Sequence, residues 1–239
     1  MKFCKLLFII VISISLFGCA GSLKRQEYAD QQIKDPYQKV NRQVYAVNNA
    51  LDRTILKPVA DLYDQTTPAF VKEGVSNFFG NLSEPTNFIN SLLQLKFEKS
   101  LVALSRFTFN STIGLGGIID IMELGGEPEQ EEDFGQTLAT WGAKPGPYVM
   151  LPLFGPSSVR DSVGRLGDIL MFSAADDILE VSTIGFNAAK AVDTRVDLLA
   201  VDDILDKQVD KYSFVRSAYE QARINDIFDG NPPEETEDF

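Results

Sequence analysis

From Val40 the apolar residues Val44, Val47, Leu51, Ile55, Val59 and Leu62 recur at steps of three and four, the period of a helix with one dry face. Asn41, Arg42, Asn48, Asn49 and Asp52 fall on the opposite face, so the helix also has a wet side. Pro58, without a backbone N–H, should kink or break it near its end. Thr67-Pro68 opens a second helix through about Phe79, and Ser83-Glu84-Pro85 a third through about Phe97, because proline suits the first helical turn. Spacings at Ile169 to Phe172, Leu179 to Phe186, Val192 to Ile204 and Phe214 to Ile227 predict further helices. Strand signals are few: Tyr148 to Leu153 is a short apolar run, preceded by Pro147 and interrupted by Pro152. There is no fixed-period repeat, and an all-α fold is expected.

Leu101 to Met122 is the most apolar stretch after the N-terminus, yet Arg106, Asn110 and Asp120 interrupt it and Gly114, Gly116 and Gly117 loosen it. A simple spanning helix would not look like this. A charge deep in hydrocarbon costs about 2.5–3.5 kcal/mol on insertion scales, so these polar residues should face protein or water. Two readings fit: a segment lying in the membrane plane or dipping into it as a hairpin, and a buried helix pair in a soluble core.

The N-terminus bears on that choice. Lys2 and Lys5, an uncharged apolar run from Leu6 to Phe17, and Gly18 before Cys19 make a secretory signal over residues 1–18. The run is about half of the roughly 20 residues a spanning helix needs. Leu16-Phe17-Gly18-Cys19 matches a lipobox, with Phe17 bulkier than usual, so Cys19 is expected to carry a diacylglycerol after cleavage. That anchor favours membrane contact for Leu101 to Met122. Ala20, where Asp would favour retention in the inner membrane of a Gram-negative cell, points to the outer membrane. Residues 19–34 are expected to be a tether, residues 35–228 one helical domain, and residues 229–239 an acidic disordered tail. Cys4 lies in the removed part, so the mature chain forms no disulfide of its own.

Cleavage leaves 221 of 239 residues, enough to bury a proper core. It also removes Lys2 and Lys5, taking the formal charge from −12 to −14. This argues against nucleic acid and against electrostatic capture by anionic lipid, so lipid contact would run through apolar surface. The absence of histidine removes Ser-His and Cys-His nucleophile pairs and His-based zinc sites.

Motifs for chemistry are weak. Glu127, Glu129, Glu131, Glu132 and Asp133 lack the alternating ligand loop of a calcium site and read as a solvated loop. Gly114-Leu115-Gly116-Gly117 lacks the third spaced glycine of a dinucleotide loop and the Lys-Ser/Thr of a phosphate loop, and reads as a flexible or closely packed turn. Gly155-Pro156-Ser157-Ser158 is not a nucleophile elbow. Asp176-Asp177 and Asp202-Asp203 point in different directions on a helix and read as solvated faces or caps. No cofactor or metal is implied.

Ordered blocks along the chain resemble the MlaA/VacJ family of outer-membrane lipoproteins. They include Asp35-Pro36-Tyr37, Asn41-Arg42, Lys57-Pro58-Val59, Val75-Ser76-Asn77-Phe78, Asn81-Leu82-Ser83-Glu84-Pro85, Arg106-Phe107 and Asn110-Ser111-Thr112-Ile113-Gly114. Asp133-Phe134-Gly135-Gln136-Thr137-Leu138, Trp141-Gly142, Gly146-Pro147-Tyr148, Gly155-Pro156-Ser157 and Arg160-Asp161 continue the match, which spans about residues 35 to 225.

The resemblance implies a ring of amphipathic helices lying in the periplasm-facing leaflet of the outer membrane around a central amphipathic channel. It further implies removal of mislocalised phospholipid from the outer leaflet and its passage to a soluble periplasmic carrier, with an inner-membrane ABC transporter downstream and a trimeric porin alongside. By position, the gate falls on Trp141, Gly142, Lys144 and Gly146, with Lys144 a possible phosphate contact, and Tyr45, Ala46 and Val47 line or support the channel. Two other classes compete: a lipid hydrolase using carboxylates or Ser157/Ser158, and a passive porin-associated scaffold.

Overall fold

The computed structural model of the chain describes residues 33–179 and 183–232, with the side chains of all of these except 171–179, 183 and 184. The signal segment, Cys19, most of the tether and the end of the acidic tail lie outside the described residues, as do the side chains of Asp176-Asp177.

Helices α1 (Gln38–Leu51) and α2 (Lys57–Thr66) form one rod through a π-helical turn (Asp52–Leu56). Pro58 explains the turn. It cannot donate to the carbonyl four residues back, and just before it the Lys57 N–H reaches five residues back to the Asp52 carbonyl, widening the helix without ending it. The predicted apolar stripe exists, but Val40, Val47, Leu51, Ile55, Val59 and Leu62 all point outward. The polar side is the one that meets protein, with Asn41 buried.

Helix α3 (Ala69–Leu93) runs through Pro85, so the predicted second and third helices are one. Proline loses one backbone hydrogen bond there, and packing against α4 (Phe97–Thr112) holds the helix together across it. The two helices bury polar residues: Asn81, Glu84, Asn87, Asn90 and Ser91 from α3, and Ser100, Arg106 and Asn110 from α4. Leu92, Phe97, Leu101, Leu104 and Phe109 are exposed. The glycine-rich stretch after α4 is a closely packed turn: Gly117 has φ +95°, and a Cβ there would lie 2.5 Å from Asn81 Cβ.

The short α5 (Ile121–Leu124) and α6 (Phe134–Thr140) lead to an antiparallel hairpin, β1 (Tyr148–Leu151) with β2 (Gly155–Ser158), in register Tyr148↔Ser158 to Leu151↔Gly155. Pro152 falls in its turn. Then come α7 (Val159–Leu179), α8 (Thr183–Asp197), a 3₁₀ turn (Leu198–Val201), α9 (Asp202–Asp206) and α10 (Lys211–Ile227). The fold is thus mainly helical, as expected, with one hairpin among the described residues.

The apolar core is small: Ile33, Tyr148, Met150 and Tyr212, with Val44, Tyr45, Val215 and Tyr219 against it. Its rings meet edge to face, Tyr45–Tyr212 at 5.9 Å and Tyr148–Tyr219 at 6.0 Å. Ile33, in the stretch expected to be tether, already belongs to this core.

Candidate functional site

The interior is organised by charge. Arg106 and Glu84, 2% and 0% exposed, form an ion pair, and Arg106 also donates to Asp120 at 2.5 Å and to the Glu127 carbonyl. Asn110 donates to Asp120 at 2.9 Å and accepts from the N–H groups of Ile121 and Met122 at the start of α5. Burial pushes the Glu84 carboxyl up to about 7 against the opposing pull of Arg106. The polar residues of the apolar stretch therefore face protein, as the cost of burying a lone charge requires.

A second knot joins α6, α7 and α10. Asp133 caps α6 by accepting from the Gln136 N–H at 2.9 Å, and Arg223 donates to both Asp133 oxygens at 2.6 and 2.7 Å and to Asp161 at 2.9 Å. Burial would raise the Asp161 carboxyl, but Arg223 and Arg160 hold it down at about 2. The acidic stretch is therefore only in part a solvated loop: Glu127 and Glu131 are exposed, but Glu129, Glu132 and Asp133 turn inward. Glu132 is buried and accepts from Lys96 and Lys99 at 2.9 Å, and Glu129 accepts from Asn87 at 3.4 Å. Asp229, expected in the disordered tail, binds the same two lysines at 2.7 and 2.6 Å. Asp202, expected on a solvated face or as a cap, opens α9 and pairs with Lys57 and Arg195, both at 2.8 Å. Apart from Arg195, seven residues from Asp202, these partners are distant in sequence, which is why local composition misreads the acids.

Trp141, Gly142, Lys144 and Gly146 share the loop between α6 and β1. Its start is fixed by the Trp141 Nε1–H donating to the Leu93 carbonyl at 3.1 Å and by the Trp141 ring against Phe134 at 5.9 Å. Gly142, at φ +90°, ends α6, and the following Ala143 N–H closes back on the Leu138 carbonyl at 2.9 Å. Further on, the Pro145 and Pro147 carbonyls accept from the first N–H groups of α7, Arg160 and Val159, both at 3.1 Å. Lys144 is exposed at the middle, and Gly146 has φ +69°.

Tyr45, Ala46 and Val47 sit elsewhere, on α1. Tyr45 packs on Tyr212, while Ala46 and Val47 are exposed. What links α1 to the loop is a pair of asparagines two helical turns apart. Asn41 donates to the Tyr148 carbonyl at 3.1 Å and accepts from the Met150 N–H at 3.0 Å. Asn48 donates to the Leu151 carbonyl and accepts from the Leu153 N–H, both at 2.9 Å. They satisfy the open edge of β1 as a neighbouring strand would. Both fall on the wet face of the predicted helix, and their seven-residue spacing is the signal of a shared partner.

Ser157 and Ser158 are buried. Ser158 Oγ accepts from the Asp161 N–H at 3.1 Å and donates to its carboxylate at 2.8 Å, capping α7. Among the described residues no group of His, Cys, Asp and Glu is placed to hold a metal ion. An open cleft of about 280 Å³ between Leu101, Val102, Ser105 and Met122 shares no lining residue with the 141–146 loop.

These features define a class: a helical protein with a hydrogen-bonded, ion-paired interior and an apolar exterior, in which no helix among the described residues is long and apolar enough to cross a membrane. The chain belongs to the MlaA lipoprotein family, whose sequence profile matches residues 33–226. It is 35% identical to the intermembrane phospholipid transport system lipoprotein MlaA of Escherichia coli K12, over 86% of this chain and 82% of that one. It is also 35% identical to an uncharacterized protein of Rickettsia felis, over 83% and 80%. A solved structure from work on the structural basis for maintenance of bacterial outer membrane lipid asymmetry matches with a TM-score of 0.71 at 33% identity, covering 83% of this chain and all of that one.

Proposed function

We propose that this chain is an outer-membrane lipoprotein of intermembrane phospholipid transport, held in the periplasm-facing leaflet by a lipid on Cys19 and by its own apolar exterior. It takes mislocalised phospholipid from the outer leaflet through an amphipathic channel and passes it to a soluble periplasmic carrier, so maintaining lipid asymmetry. An inner-membrane ABC transporter receives the lipid next, and a trimeric porin sits beside the chain. No covalent step is involved.

The inverted burial pattern carries this reading. Burying a large apolar side chain is worth roughly 1.5–3 kcal/mol relative to leaving it in water, and Leu62, Phe70, Leu101, Ile113, Leu115 and Leu124 are exposed while Glu84, Arg106 and Asn90 are inside. Such an arrangement suits an acyl-chain environment outside, with polar groups satisfied within. The relatives named as phospholipid transport lipoproteins support the transport role. The gate is the 141–146 loop, with Trp141 and the helix end at Gly142 as its fixed side, Lys144 as the phosphate contact and Gly146 as its pivot. Tyr45, Ala46 and Val47 support it through the hairpin that α1 holds.

A photo-crosslinking residue replacing Lys144 in cells should capture phospholipid, and deletion of the chain should raise outer-leaflet phospholipid. Capture of protein alone, with outer-leaflet phospholipid unchanged on deletion, would leave the passive scaffold as the better account.

A further inference from the structure

We propose that the hairpin tip is a membrane-contact element in which Leu153 and Phe154 enter the acyl region while Arg165 binds the phosphate of a bilayer phospholipid. Leu153 and Phe154 are 76% and 61% exposed, the tip of a hairpin rather than part of a packed face. Their backbone is held in place: Leu153, at φ +67°, donates to Asn48, whose amide donates back to Leu151. The tip is thus presented in one conformation and loses little freedom on insertion.

Arg165 supplies the charge complementarity. It is exposed, and its guanidinium lies 5.3 Å from the centre of the Phe154 ring and donates to the Phe154 carbonyl at 3.3 Å. Arg42, Arg53, Arg106, Arg195, Arg216 and Arg223 each face a carboxylate. Arg165 faces none among the described residues, in a chain whose formal charge is −12. A guanidinium carries five N–H donors in a fork that fits a phosphate, and an arginine stem can lie along apolar surface while its head reaches the polar layer. Val163, Leu166 and Leu170, exposed at steps of three and four, form a further apolar stripe along α7. A protein partner would call for an acidic group opposite Arg165; the exposed Leu153 and Phe154, with the Phe154 ring against the guanidinium, suit lipid better.

This inference rests on the proposal that the exterior lies in a leaflet, and the test separates the two. The lipidated, processed chain is placed in phosphatidylethanolamine/phosphatidylglycerol vesicles with a spin label at Leu153→Cys or, as a reference, at Leu101→Cys. Both labels should be relaxed by oxygen more than by a water-soluble nickel chelate. Arg165→Glu should shift the Leu153 label toward the nickel reagent and leave the Leu101 label unchanged, while Arg165→Lys should retain most of the depth. The Arg165→Glu shift should vanish in galactolipid vesicles, which lack phosphate. A water-exposed Leu153 label beside a buried Leu101 label would overturn the tip proposal alone. Two water-exposed labels would overturn the leaflet reading as well. A shift of equal size in galactolipid would overturn the phosphate contact.

Discussion

The α3–α4 hairpin and the seam between the α1–α2 rod and the C-terminal helices are both fastened by ion pairs, in opposite settings. In the hairpin Arg106 and Glu84 are sealed from solvent, and leucines and phenylalanines cover the outside. Along the seam the outer pairs Arg42–Asp210 and Arg53–Asp206 stand about half exposed. An exposed pair is worth about 0–1 kcal/mol and is screened by salt, whereas breaking a buried pair costs about 3–5 kcal/mol because a lone charge remains. The difference separates the two regions energetically: the hairpin's pair is shielded from water and salt, whereas the seam's outer pairs meet both.

The largest expected effect follows from breaking the buried side. Arg106→Met should lower stability by about 3–5 kcal/mol, read by urea unfolding in detergent micelles, because Glu84 and Asp120 lose their common cation. Glu84→Gln should cost less and should change the pH profile. Because the Glu84 carboxyl rises to about 7 in the fold, the native state holds its proton more tightly than the unfolded chain, so this group lowers stability as pH rises from about 4.5 toward 7. Unfolding midpoints measured across that window should flatten in Glu84→Gln.

Asp161 has the opposite sign. Its carboxyl is held down at about 2, so it adds stability that is present above the ordinary carboxylate range and lost as pH falls from about 4 toward 2. Asp161→Asn should remove that acid limb while leaving the Glu84 window intact. The smallest effect belongs to the seam: Asp210→Asn should shift stability least of these variants, and less still at high salt. A large, salt-insensitive loss at Asp210 would erase the contrast between the regions.

The period of α1 is legible from its valines and leucines, but the direction of its stripe is not, because the same spacing serves a core or a lipid face. Pro85 reads as a helix start by local rules, and only the packing of α4 against α3 overrides it. Glu132 and Asp133 read as solvated because Lys96, Lys99 and Arg223 are far away in sequence. The residues proposed as a gate enter through family resemblance; the loop bearing them is tied down by contacts to Leu93 and α7 that no local pattern encodes.

Carbene labelling from within vesicles, mapped residue by residue by mass spectrometry, tests the inverted arrangement most directly. A membrane-dissolved diazirine should label Val47, Leu51, Ile55, Leu101, Leu104 and Phe109, and spare the seam around Arg42, Arg53 and Asp210. Labelling confined to the N-terminal segment, with α1 and α4 as unmarked as the seam, would contradict it.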